Sequence, residues 1–83
     1  MSLNLSYLNN LMRTVAKVWE GASEDARHDM VTRIMSQGRV APSTVYMWMR
    51  GDRKPQHLYQ KLIQSTIQRV TGDSIPLSEL FPL

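Results

Sequence analysis

The segment from Pro42 to Pro55 constrains the fold more than any other part of the chain, because its proline and glycine positions admit a short helix followed by a turn. Proline is well tolerated at the first position of a helix, and glycine is favoured just beyond a helix end, where a positive φ is common. Pro42 and Gly51 hold those two positions. We therefore predict a short helix over residues 42–50, bounded at both ends.

The predicted helix has an apolar side and a polar side. Val45, Trp48 and Met49 fall at i, i+3 and i+4, which is the spacing of one buried stripe, so the Trp48 indole is assigned to the core. The residues left facing outward are Ser43, Thr44, Tyr46, Met47 and Arg50. An outward face that carries hydroxyls, an aromatic ring and an arginine is suited to contact with nucleic acid.

Apolar residues recur every three or four positions on both sides of this helix and predict three longer helices. The first runs from Leu5 to Trp19, with Gly21 at its end, and the second runs from the N-cap Ser23 to Gln37. The residues expected to be buried in these two helices are Leu8, Leu11, Met12, Val15, Val18, Trp19, Ala26, Met30, Ile34 and Met35.

The last long helix is predicted to begin at Pro55 and to end before Gly72, and a short element follows it. The expected buried residues are Leu58, Leu62, Ile63, Ile67 and Val70 in the helix and Leu77, Leu80 and Phe81 in the element. The opposite side of the helix carries Gln56, Gln60, Gln64 and Gln68. Their spacing favours a solvated face with hydrogen bonds along the helix, and a ladder of phosphate contacts is the alternative. Residues 1–83 are thus predicted to form a single all-α domain of four main helices plus a short C-terminal element.

Positive charge is concentrated in the middle of the chain. The net charge is +3, but residues 27–69 carry eight arginines and lysines against two aspartates, while the flanking segments are net negative. Such a distribution is the electrostatic footprint expected of a protein that binds a duplex. The alternative is a basic face that serves solubility alone.

The composition argues against several other classes of protein. The chain has no cysteine and only two separated histidines, so we expect no metal site and no cofactor. It has no paired carboxylates beside a base, no nucleophile constellation and no glycine-rich phosphate loop, so an enzyme is not expected. No signal peptide and no apolar run long enough to cross a bilayer is present, which predicts a cytoplasmic protein without membrane contact.

Two stretches carry a resemblance to a known family. Val40, Ser43, Thr44, Val45, Trp48, Gly51 and Pro55 match the second helix and following turn of the lambda-repressor-like (Cro/C1-type) helix-turn-helix regulators of bacteria and phages. Residues 71–82, which read TGDSIPLSELFP, are similar to the ending of small Cro-like proteins. The resemblance implies a lambda-repressor-like domain with its helix-turn-helix at about 24–51. It also implies a small transcriptional regulator that binds double-stranded DNA, with a homodimer on two half-sites as the expected assembly.

The chain departs from the family pattern at two places. Ala41 stands where a serine or threonine N-cap is usual, and it offers no side-chain acceptor. The turn reads Gly38-Arg39-Val40 instead of apolar-Gly-apolar. The turn is therefore either one residue longer or runs without glycine at its tightest point.

The candidate site residues fall into two groups. The base-reading candidates are Ser43, Thr44, Tyr46 and Met47, and the family pattern also aligns Pro42 with a base-contacting position. The candidates for contact with the DNA backbone are Arg39, Arg50, Arg53, Lys54, Arg33 and Lys61. Two alternatives stay open: the Thr44 hydroxyl satisfies the helix start in place of a cap, or Tyr46 and Met47 pack on a neighbouring helix or a second subunit.

A second function class uses the same fold. Exposed methionine and tyrosine suit adaptable protein contacts, so the Tyr46/Met47 face is also consistent with a protein-interaction module that holds a partner protein. No small-molecule ligand is expected of a chain this short.

Overall fold

The computed structural model describes residues 12–83, and within this range the chain forms five helices and no strand. The helices are α1 (Val15–Gly21), α2 (Glu24–Gly38), α3 (Pro42–Met49), α4 (His57–Thr71) and α5 (Leu77–Leu80). The all-α class is therefore confirmed. Among the residues predicted to be helical or buried, 5–11 lie outside the described part of the chain. None of the helices in residues 12–83 has the length and apolar character needed to span a membrane.

Helix α1 begins later than the sequence predicts. The prediction placed residues 12–14 inside the first helix, but they are not helical, and Met12 is exposed instead of buried. The reason is a local cap: Thr14 adopts an extended conformation and its side chain accepts from the N–H of Lys17 at 3.4 Å. Val15 and Trp19 are buried as predicted.

Helix α2 begins where the sequence predicts. The Ser23 hydroxyl oxygen accepts from the Ala26 N–H at 3.1 Å, and Glu24 and Asp25 lie in the first turn, where the helix dipole favours negative charge. The buried residues of α2 are Met30, Val31 and Ile34, with Ala26 and Met35 partly buried against them. Val31 is the member that the predicted stripe left out.

The turn from α2 to α3 runs without glycine at its tightest point, which was one of the two predicted alternatives. Arg39 takes the left-handed conformation, with φ 53° and ψ 49°, while Gly38 is the last helical residue. Gly38 lies where α2 faces α4. A Cβ at this position would lie 3.1 Å from Cδ2 of Leu62 and 3.4 Å from Cε1 of Tyr59, so a larger residue would require these side chains to shift by a few tenths of an ångström.

Helix α4 begins at His57, two residues after the predicted start, because Gln56 is the N-cap and Pro55 lies buried before it. Leu58 was predicted to be buried, and this is wrong: it is 73% exposed. The buried side of the helix follows the spacing i, i+4, i+7, i+8 and i+11 through Tyr59, Ile63, Thr66, Ile67 and Val70. Leu58 precedes the first of these by one residue, and one residue rotates a side chain about 100° away from the stripe.

Two of the α4 glutamines are not part of a solvated ladder. Gln60 and Gln64 are half-buried, and each donates its side-chain amide to a backbone carbonyl outside the helix. Gln60 Nε2 bonds Pro55 O at 2.9 Å, and Gln64 Nε2 bonds Ile75 O at 2.8 Å. The two glutamines therefore fix the loop before α4 and the segment after it, whereas Gln56 and Gln68 remain exposed.

The core is closed by the C-terminal segment, as predicted. Leu80 and Phe81 are buried and Leu77 packs against them, and Ile75 joins the core although the predicted set did not include it. Helix α2 packs mainly on α4, and α3 lies against both α2 and α1. Among residues 12–83, the side of α3 opposite its buried stripe is exposed or only partly covered.

Candidate nucleic-acid interface

Helix α3 has the two-sided character that its sequence predicts. Val45 and Met49 are fully buried and Trp48 is 6% exposed, which confirms the inner stripe. On the other side Ser43 is exposed, Tyr46 is 41% exposed, and Thr44 and Met47 are half-buried. The outward face is therefore formed mainly by Ser43 and Tyr46, with Thr44 and Met47 only partly accessible.

The first turn of α3 is closed by the backbone. Ala41 is the N-cap and its side chain makes no capping bond, as expected for alanine. Its carbonyl oxygen accepts from the N–H groups of Thr44 at 3.1 Å and Val45 at 3.3 Å. Pro42 at the first helical position has no N–H, so the first turn of α3 has one fewer N–H group that requires a hydrogen-bond acceptor.

The loop that follows α3, residues 50–56, is here called the basic loop. It folds back on the helix because the Met47 carbonyl accepts from the N–H groups of Asp52 at 2.9 Å and Arg53 at 3.3 Å. Gly51 makes the reversal with φ +81°. This fold brings three predicted cations together, since Arg50, Arg53 and Lys54 line one depression of about 310 Å³ beside the end of α3.

A carboxylate lies among these cations. Nε of Arg50 is 3.3 Å from Oδ2 of Asp52, and both side chains are more than half exposed, at 55% and 58%. An ion pair this exposed contributes little to folding. Its effect is instead local, because Asp52 offsets part of the positive charge that the basic loop presents.

The other predicted cations lie on three different elements. Arg39 is exposed in the turn that precedes α3, at the opposite end of the helix from the basic loop. Arg33 is half-buried on α2, where its Nε bonds Oδ1 of Asp29 at 2.7 Å. It lines a depression between α2 and α4 together with Arg69, and no residue of α3 contributes to that lining. Lys61 is exposed on α4.

Tyr46 is held against a neighbouring helix. Its ring meets the Trp19 ring of α1 edge to face, with 5.7 Å between the centroids and 85° between the planes. Packing of Tyr46 on another helix was one of the predicted alternatives, and this contact shows it while leaving 41% of the residue exposed.

Arg27 lies beside this aromatic pair, although its sequence position did not mark it as a site residue. Its Nε donates to Trp19 O at 2.8 Å, its terminal nitrogen donates to Glu20 O at 3.1 Å, and its guanidinium carbon is 5.2 Å from the Trp19 ring centroid. Nothing local in the sequence could have revealed this role, because the contacts join two helices through tertiary packing.

Comparison of the chain with models of protein families, with curated proteins and with solved structures finds no match. The function of the chain is therefore inferred from its own residues and their arrangement.

Proposed function

We propose that this chain binds double-stranded DNA as a small transcriptional regulator of the Cro-like type, with α3 in the major groove. One observation carries the proposal: α3 has an open outward face, and exposed cations lie at both of its ends. Arg39 precedes the helix, and Arg50, Arg53 and Lys54 follow it. Phosphate groups flank the major groove on both sides, so cations at both ends of a groove-binding helix are placed to contact the DNA backbone.

The arrangement of α2 and α3 supports the proposal. A turn of three residues, 39–41, joins the two helices, and α3 packs on α2 through its buried stripe. Two packed helices joined by a turn of three or four residues are typical of helix-turn-helix proteins, in which the second helix enters the groove. In this interpretation the helix-turn-helix covers about residues 24–51 of a lambda-repressor-like domain.

The side chains of α3 have graded access to a duplex. Ser43 and Tyr46 are the most exposed and are the main candidates for contact with base edges. Thr44 and Met47 are half-buried, so a smaller part of each side chain is available for contact with the bases. Met47 offers an apolar surface suited to a thymine methyl group. Arg39, Arg50, Arg53 and Lys54 supply contacts to the DNA backbone. Arg33 and Lys61, on α2 and α4, are secondary candidates, since Arg33 pairs with Asp29 and lines a depression to which α3 does not contribute.

The proposed assembly on DNA is a homodimer. Helix-turn-helix proteins of this kind place two recognition helices on half-sites about one helical turn apart. Equilibrium sedimentation with and without the selected duplex tests this part, and a monomer under both conditions would contradict it.

DNA binding is tested by fluorescence anisotropy with a randomised duplex pool at about 50 and 200 mM salt. We expect binding that weakens steeply with salt. The variant Arg53→Ala/Lys54→Ala removes two phosphate contacts, which should lower the salt slope by about 1.8 and the affinity at 0.1 M salt by about 60-fold.

The matched control is Lys17→Ala/Arg69→Ala, which removes the same charge from α1 and α4. If the charge acts locally, the control should retain most of the affinity. Equal losses in both double variants would mean that net charge alone drives binding. Absence of binding at the lower salt concentration would contradict the proposal and would direct the search to a partner protein on the Tyr46/Met47 face.

A further inference from the structure

We infer that Arg27 and Trp19 are positioning residues that hold Tyr46 in place for sequence recognition on α3. The inference rests on the proposed DNA binding and adds a mechanism for its specificity. Three side chains from three helices form one continuous set of contacts, from Arg27 on α2 to Trp19 on α1 to Tyr46 on α3.

The first contact fixes α1 to α2. The last four carbonyls of a helix lack the usual partner four residues further on. Arg27 donates to two of these carbonyls in α1 with two different nitrogens of its guanidinium, to Trp19 O at 2.8 Å and to Glu20 O at 3.1 Å. Trp19 O also accepts from the N–H of Ala22 at 3.2 Å. The same guanidinium lies 5.2 Å from the Trp19 ring centroid, which is within the range of a cation–π contact.

The second contact fixes Tyr46 to α1. The Trp19 side chain is 8% exposed and belongs to the core, so its ring has a defined orientation. The Tyr46 ring packs on it edge to face at 5.7 Å, which is a favoured geometry for an aromatic pair. The contact therefore favours one orientation of the Tyr46 ring while 41% of the residue remains open to solvent.

A side chain that is already ordered loses less conformational freedom when it binds. For a side chain with several rotamers this saving corresponds to about 2- to 12-fold in affinity. Because the saving is made only where Tyr46 meets its preferred base, it should appear in binding to the selected duplex and not in binding to a random pool.

Arg27 acts through Tyr46 and not through phosphate. It lies in the basic middle segment of the chain, but it is half-buried and directs Nε and a terminal nitrogen to carbonyls of α1. Arg27→Lys separates the two roles, because lysine keeps the positive charge and cannot reproduce the forked pair of bonds.

The test uses a duplex selected by the wild-type chain and a random pool, both measured by anisotropy across salt concentrations. For Arg27→Lys we expect about 2- to 12-fold weaker binding to the selected duplex, with an unchanged salt slope and less than about 2-fold change on the pool. Arg69→Lys, on the exposed end of α4, is the matched control and should bind both as the wild type does.

A cycle with Tyr46→Ala separates positioning from a merely structural role. Tyr46 is exposed enough that this variant should fold, and it should itself lose the preference for the selected duplex. In the Tyr46→Ala background, Arg27→Lys should then have no further effect. Trp19→Phe, which removes part of the ring that Tyr46 contacts, should also weaken binding to the selected duplex more than binding to the pool.

Several results would overturn the inference. The first is a Tyr46→Ala variant that prefers the selected duplex as strongly as the wild type does. The second is an effect of Arg27→Lys on affinity that persists in the Tyr46→Ala background. The third is an Arg27→Lys variant that loses equal affinity for the selected duplex and for the pool. Thermal melting of each variant identifies losses that come from unfolding. If Arg27→Lys does not fold, Trp19→Phe and Tyr46→Ala still test the contact on which the inference rests. A wild-type chain that binds no duplex would refute the proposed function itself, whereas normal binding with an unchanged preference in the variants would refute only the positioning role.

Discussion

Replacement of Arg39 by glycine should stabilise the fold and weaken DNA binding at the same time. Arg39 has φ 53° and ψ 49°, a conformation that costs a residue with a Cβ roughly 1–2 kcal/mol. Glycine avoids this cost but loses roughly 0.5–1 kcal/mol through its greater freedom in the unfolded chain. The difference predicts that Arg39→Gly raises the free energy of unfolding by up to about 1.5 kcal/mol.

The assay is thermal unfolding followed by circular dichroism, with Arg39→Ala as the control. For a domain of this size the gain corresponds to a rise in Tm of up to about 12 °C. Alanine removes the same side chain but leaves a Cβ in the left-handed conformation, so Arg39→Ala should stay within about 0.5 kcal/mol of the wild type.

DNA binding should fall equally in the two variants, because both remove the same charge. If Arg39 contacts one phosphate, the salt slope should decrease by about 0.9 and the affinity at 0.1 M salt by about 8-fold. An unchanged slope in both variants would remove Arg39 from the interface. A Tm for Arg39→Gly no higher than that of Arg39→Ala would refute the argument from backbone conformation.

Three further outcomes are expected. Asp52→Asn removes the carboxylate from the basic loop and should strengthen DNA binding by up to about 8-fold at 0.1 M salt, and weaker binding in the anisotropy assay would contradict this. Ile63→Ala should lower the free energy of unfolding by about 2–5 kcal/mol because its side chain is fully buried, whereas Leu58→Ala should change it by less than about 0.5 kcal/mol, and urea titration distinguishes the two. Gln64→Ala should lower the free energy of unfolding by about 1–3 kcal/mol in the same assay, because it leaves the part-buried carbonyl of Ile75 without its donor. A change near zero would mean that water replaces the amide as the donor.

Helix positions could be predicted from the sequence where local chemistry decides them. Ser23 marks the start of α2, and Pro42 and Gly51 mark the bounds of α3, because caps and prolines act within a few residues. The inner stripe of α3 was predicted for the same reason, since the helical period places Val45, Trp48 and Met49 on one side.

Features that depend on contacts between helices could not be predicted. The periodicity of α4 includes Leu58 as readily as Tyr59, and only the position of α2 shows that Tyr59 faces inward. Gln60 and Gln64 have the spacing of a solvated face, but they bond carbonyls that the sequence does not place nearby.

The candidate site shows the same division. The exposure of Arg39, Arg53 and Lys54 beside α3 was expected from their positions in the sequence. The pairing of Arg33 with Asp29 could be expected from their i, i+4 spacing. The depression that Arg33 and Arg69 both line could not, because it forms where α2 packs on α4. The contact of Tyr46 with Trp19 joins residues 27 positions apart and depends entirely on the tertiary fold.

The bond from Gln60 to the Pro55 carbonyl has a consequence for how this molecule can change over evolutionary time. A carbonyl group is common to all twenty amino acids, so this anchor makes no demand on the side chains of residues 52–54. Mutations can therefore alter the charge and shape of the side chains at residues 52–54 while the backbone of the basic loop keeps its conformation. Related sequences could diverge in target preference by exchanging these few side chains, and a designer could graft new ones onto the same scaffold.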